Sequence, residues 1–215
     1  MKRTLFISAT VILLLAFVAG ALIYSAKKTE QAGQLAEQNQ SALVRAHSRV
    51  LGAADARVEI VEFFDPACET CRRFYPLVKD MLAAHPQQIR LVLRYAPFHQ
   101  NSDYVVKVLE DAGKQGKYWE TLDALLAAQE DWVMHHAVQP PQVWRQVERL
   151  GLDLDRLQHD MNAPEIARLI AQDLEDAHTL NVSKTPEFFV NGKPLPSFGF
   201  EQLKALVDEA LANAY

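Results

Sequence analysis

The feature that most limits the fold is a succession at residues 58–84: the apolar run VEIVEFF, the loop DPA, the pair CETC and an amphipathic stretch ending near Ala84. The run reads as a buried strand, and the spacing from Cys68 to about Ala84 predicts a helix. A second β-rich run, IRLVLRYAPF at 89–98, follows at once. Strand, helix and strand in that order imply a parallel βαβ unit. About 80 residues of helical periodicity come next, punctuated by Gly113, Gly116, Pro140-Pro141 and Gly151. A third strand, EFFVNGK, then offers Asn191-Gly192 as a hairpin turn, and FEQLKALVDEALANA closes the chain as a helix. The expected class is α/β, ordered βαβ, helical insert, ββα.

The cysteines at 68 and 71 are the only two in the chain of 215 residues. With 49% hydrophobic residues the chain can bury a full core and needs no crosslink to fold. A bridge across CETC would close a loop of about four residues, the least stabilising kind of disulfide. A closed zinc site wants four ligands where CxxC supplies two, and His99, His135, His136 and His159 share no motif with it. Redox chemistry makes the fullest use of the spacing. A cysteine at a helix N-terminus has its thiolate stabilised by unpaired N–H groups, and a second thiol one turn later can resolve a mixed disulfide. The net charge of −5, without a long basic run, leaves no electrostatic footprint for nucleic acid.

The N-terminus sets the expected compartment. Residues 1–28 carry Lys2 and Arg3, an uncharged run from Leu5 to Ala26, and then Lys27-Lys28. The run is long enough to cross a bilayer. Ala19-Gly20-Ala21 fits a signal-peptide cleavage pattern, whereas the length of the run and the closing lysines favour an uncleaved anchor. Either way the remainder is exported to where disulfides persist. Residues 29–54 are expected to form a helical spacer, with Leu35, Leu43, Ala46 and Val50 at loosely helical spacing, and residues 55–215 the folded domain.

VEFFDPACETC, RYAPF ahead of a helical block and TPEFFVNGK near the end together resemble the DsbA-like, exported thiol–disulfide oxidoreductases of the thioredoxin-fold superfamily, over about residues 55–214. The resemblance implies a thioredoxin fold interrupted by a helical insert at about 100–182. It implies Cys68 as exposed nucleophile, Cys71 as its partner, and Pro186 in cis beside the active site, where Thr185-Pro186 would offer a backbone edge to an extended substrate. It implies a buried acid at Glu62, unless strand alternation turns that side chain to solvent, and at Arg94 a basic residue facing that acid. Glu69 and Thr70, between the cysteines, would tune the redox poise, and they match neither the Pro-His of strongly oxidising DsbA nor the Gly-Pro of thioredoxin. Pro76 resembles thioredoxin's helix-kinking proline. Thr185 resembles the isomerases and reductases more than DsbA, which leaves the direction of electron flow open. The implied partners are unfolded or cysteine-containing exported proteins and a membrane redox protein, at the periplasm or the outer face of the bacterial inner membrane, with no cofactor. Two alternatives remain: a copper- or metal-handling protein using Cys68, Cys71 and Met134-His135-His136, or a non-catalytic scaffold of the same fold.

Overall fold

The computed structural model describes the backbone from Lys2 to Tyr215 and side chains from Ile12 onward, so the side chains of Lys2, Arg3 and Leu5 lie outside the described residues. Helix α1 (Lys2–Gln38) and the short α2 (Gln40–Leu43) lead into strand β1 (Arg49–Gly52). The expected unit follows: β2 (Val58–Phe64), α3 (Glu69–Ala84) and β3 (Ile89–Tyr95). Between β3 and the next strand of the main sheet stand α4 (Ser102–Lys114), α5 (Tyr118–Ala127) and α6 (Gln129–Trp132), then a hairpin of β4 (Val133–Met134) and β5 (Ala137–Val138). Helices α7 (Pro140–Val147), α8 (Leu154–Asp160) and α9 (Pro164–Thr179) complete the insert. The chain closes with β6 (Glu187–Val190), β7 (Lys193–Pro194) and α10 (Phe200–Ala214).

The five-stranded sheet has the order β1-β3-β2-β6-β7, with β2 and β3 parallel. Both central strands are covered on two faces, which is why they read as apolar runs rather than as alternating ones. Val58, Ile60 and Phe64 join Cys71, Phe74 and Val78 of α3 in one cluster, with Leu203 and Val207 of α10. Val61, Phe63 and Val92 join Ala177 of α9 and Leu43 of α2 in the other. Asn191 and Gly192, at φ 48° and 79°, form the two-residue turn between β6 and β7 that the Asn-Gly pair predicts. Helix α3 runs through Pro76.

The expected helical spacer at 29–54 is corrected. α1 continues to Gln38, but its last turns are seated on the domain: Ala36 is fully buried, and the Thr29 hydroxyl donates to the Pro196 carbonyl at 3.2 Å. Beyond Leu43 the chain leaves the helix, because Arg45 reaches Asp176 at 2.6 Å and His47 reaches Asp173 at 2.6 Å. Residues 49–52 then pair antiparallel with β3 as the edge of the sheet. Arg49 is fixed there by Glu110 and by the Tyr118 ring, 4.9 Å from its guanidinium carbon. Tertiary ion pairs thus override the local helical spacing.

Candidate active site

The site forms where β2 stops. Asp65, fully buried, accepts from the Ala67 amide at 2.9 Å and from the Ser102 hydroxyl, while its other oxygen accepts from the His99 amide at 2.9 Å and His99 Nδ1 at 2.7 Å. Its carbonyl accepts from the Cys68 amide at 3.0 Å. Those bonds turn the chain sharply and deliver Cys68 as the N-cap of α3, with φ −76° and ψ 119°. Gln129 supports the turn from the insert, donating to the carbonyls of Pro66 at 2.7 Å and Cys68 at 3.1 Å.

The two sulfurs are unlike. Both cysteines are free thiols, Cys68 6% exposed and Cys71 not at all. Cys68 Sγ accepts from the Cys71 amide at 3.4 Å and, as a thiol, donates to the Thr185 carbonyl at 3.3 Å. The hydrogen bond from the Cys71 side chain is the main cause that brings the Cys68 pKa down to about 6; burial opposes it, and bonds from the Thr185 side chain and from the amides of Cys71 and Thr70 assist. Burial is the main cause that drives Cys71 well above an ordinary thiol, reinforced by its bond to Cys68 and by the charges of Glu62 and Cys68. Electrostatics therefore separates a ready thiolate from a held thiol.

Glu62 lies on the α3 face of β2 and is wholly buried, which removes the solvent-facing option. Neither of its oxygens has a hydrogen-bond partner among the described residues, and burial, helped by the Cys68 charge, pushes its pKa well above the carboxylate range. Arg94 does not face it. In the β2–β3 register Arg94 stands opposite Phe63 and Glu62 opposite Leu93, so the two side chains leave the sheet on opposite faces. Arg94 instead donates to Asp173 at 2.7 Å, Asp176 at 2.6 Å and the Ala42 carbonyl at 2.5 Å, all buried. The redox-tuning position expected for Arg94 is corrected to a structural ion pair behind the sheet.

The peptide between Thr185 and Pro186 is cis, with Pro186 buried and Thr185 half-buried beside Cys68. Glu69 is exposed on the first turn of α3, and Thr70 is half-buried. A cleft of about 530 Å³ opens over Cys68, bordered by Glu69, Thr70, His99, Gln129 and the turn His135-His136. That turn belongs to the β4–β5 hairpin, and both of its histidines have positive φ, 51° and 61°. His159 lies elsewhere, 88% exposed beside Asp160. Among the described residues no three His, Cys, Asp or Glu side chains are arranged to hold a metal ion. The sequence reading missed Asp65 and Gln129 and treated His99 only as a possible metal ligand. Asp-Pro at the end of a strand was a visible turn signal. Gln129, 61 residues from Cys68, carries no local mark.

Comparison with known proteins agrees with this architecture. The model of the family described as Thioredoxin matches residues 44–209. A thioredoxin-like oxidoreductase from Silicibacter pomeroyi is 34% identical, with a TM-score of 0.70 over 82% of this chain and 99% of that one. BdbD from Bacillus subtilis, at 21% identity and a TM-score of 0.67 over 77% of this chain and 93% of that one, shares the fold. The Na(+)/H(+) antiporter NhaA 3 of Salinispora tropica is 36% identical over 169 residues, 77% of this chain and 25% of the antiporter. The chain spans about a quarter of the length of the curated relatives it matches. The family model spans most of the chain, and the chain belongs to the thioredoxin family.

Proposed function

We propose that the domain exchanges disulfides with cysteine-containing proteins outside the cytoplasm, with Cys68 as nucleophile and Cys71 as resolving thiol. The observation that carries this reading is the opposed perturbation of the two sulfurs, one held near pKa 6 at the helix end and the other buried as a thiol. At neutral pH the Cys68 thiolate attacks a substrate disulfide; one substrate sulfur leaves as a thiol and the other stays joined to Cys68. Cys71 then attacks Cys68 Sγ, releases the second substrate thiol and closes the Cys68–Cys71 bond. Run backwards, the same steps oxidise a dithiol.

Cys71 must lose its proton to attack, and Glu62 is the buried group on that face able to take it. Formation of the mixed disulfide removes the Cys68 charge, one of the two causes that keep Glu62 protonated, and so moves the carboxyl toward its basic form at the step that needs a base. Thr185, whose carbonyl lies at Cys68 Sγ, is the backbone edge available to an extended substrate. The membrane side of the reading rests on α1. Its described part, Ile12–Gln38, holds a window of mean hydropathy 1.5 that is wholly unburied, long and apolar enough to cross a bilayer. Antiporter chemistry is not proposed, since the matched segment is a quarter of those longer relatives.

The test is Cys71→Ala in the full chain. It should accumulate mixed disulfides through Cys68, while Glu62→Gln should keep the fold and slow their resolution about 10- to 100-fold. Absence of any trapped adduct, together with no insulin reduction by the unaltered protein, would overturn the reading.

A further inference from the structure

The dipeptide between the cysteines contains no histidine, yet one borders the site from another loop. His99, between β3 and α4, borders the same cleft as Cys68. Its orientation is fixed from below by Asp65, which takes both its amide and its Nδ1–H. Because Nδ1 is committed to that carboxylate, Nε2 is the nitrogen that gains or loses the proton. Asp65 also holds the Ala67 amide, one residue before Cys68, so one buried side chain sets the relative position of nucleophile and imidazole.

We infer that His99 is a positioning and tuning residue that shares a proton-linked charge pair with Cys68, binding its proton more tightly while the thiolate is present and less tightly once the disulfide closes. The inference rests on the disulfide-exchange reading above. Near neutral pH the reduced site carries the Cys68 thiolate, the Cys71 thiol and a His99 ring whose proton affinity is raised. Closing the Cys68–Cys71 bond sends two electrons to a partner protein's disulfide, which opens to two thiols. Of the two protons those thiols take up, Cys71 supplies one, His99 supplies the fraction of a proton set by its loss of affinity, and solvent supplies the rest. Without His99, that share would come from solvent as well.

The surroundings favour the cationic ring in the reduced state. The bond to Asp65 is the main cause raising the His99 pKa above its ordinary value; burial opposes it, and the charges of Asp65 and Cys68 assist. Across the cleft, Arg72 of α3 is tied to Glu130 of α6 at 2.8 Å, so that cation is already paired. Glu69 on the first turn of α3 adds negative potential. The titratable groups of the hairpin turn complete the rim, where the His136 ring lies 6.4 Å from that of His99 and His135 follows. Closing the disulfide removes the Cys68 charge, one of the causes that raise the His99 pKa, so the His99 proton affinity must fall on oxidation. Linkage makes the effect reciprocal: protonated His99 must lower the Cys68 pKa by the same factor.

The experiment is NMR titration of the His99 ring in the reduced and oxidised full-length protein, alongside the pH dependence of Cys68 alkylation in the native chain and in His99→Gln. Glutamine keeps an N–H for Asp65 and removes the titrating charge. We expect the His99 proton affinity to be about 2- to 10-fold higher in the reduced form, the range of a partly exposed charge pair, and the Cys68 proton affinity to rise by the same factor in His99→Gln. Equal His99 titration in the two redox forms would overturn the inference, and that measurement needs no variant to fold. An uncoupled His99 in a protein that still traps substrates through Cys68 would sink this inference alone. Failure of substrate trapping with the coupling intact would sink the exchange reading instead.

Discussion

A thiol with a pKa of about 6 in the folded chain and near 9 when unfolded links the stability of the reduced protein to pH. The folded pKa is the lower one. The stabilisation is therefore fully present above the unfolded value and is lost as pH falls through about 6. Between about pH 6 and 8, Cys68→Ser in the reduced protein should cost progressively more, reaching on the order of 2–3 kcal/mol at pH 8 and nearly nothing at pH 5. Denaturant midpoints of reduced native and variant protein, measured at several pH values, check this; a pH-independent difference would contradict the depressed pKa. The cysteines and the Thr-Pro pair were legible because their chemistry sits in short motifs. Glu62 was legible as an acid in an apolar strand, but its face was not, since a period of two allows either side until the strand is paired. Arg94 illustrates the same ambiguity with the opposite outcome. Its role depended on a register that places it beside Phe63 rather than beside the acid.

At the scale of elements, the central strands, α3 and the closing hairpin and helix follow directly from apolar periodicity and from Asn-Gly. The segment before β1 does not, because Arg45, His47 and Arg49 are held by Asp176, Asp173 and Glu110, more than 60 residues away. Nor does the β4–β5 hairpin: its turn is His-His at positive φ, where Asn-Gly is the usual signal. The ion pairs that seat α9 behind the sheet converge on Arg94. Arg94→Met strands Asp173 and Asp176 without a buried cation, and should destabilise the fold by about 3–5 kcal/mol. Because that cluster lies on the face away from Glu62 and α3, the Cys68 alkylation rate in the still-folded variant should stay within about twofold of native. A large change in Cys68 reactivity with intact stability would restore Arg94 to the redox site.

For the whole molecule, α1 is continuous with the domain rather than a leash. The Thr29–Pro196 bond and the buried Ala36 lie within about two and a half turns of Lys27-Lys28, so a bilayer holding the apolar run would hold the sheet close to its surface. The chain should therefore remain with membranes through alkaline carbonate washing and keep its apolar run in peptide mass maps, whereas a mature N-terminus near Ala21 would make the segment a removed signal. The poise of the Cys68–Cys71 couple is likewise a property of the whole arrangement. The bond from the Cys71 side chain and the amides of Cys71 and Thr70 stabilise the thiolate, and burial opposes them. The most direct test is the reduction potential of that couple in the intact protein, by equilibration with glutathione. The account predicts a reversible two-electron couple between about −270 mV and about −120 mV, the values of thioredoxin and DsbA. Failure of Cys68 and Cys71 to form a reversible disulfide, or a potential at or below thioredoxin's, would contradict it.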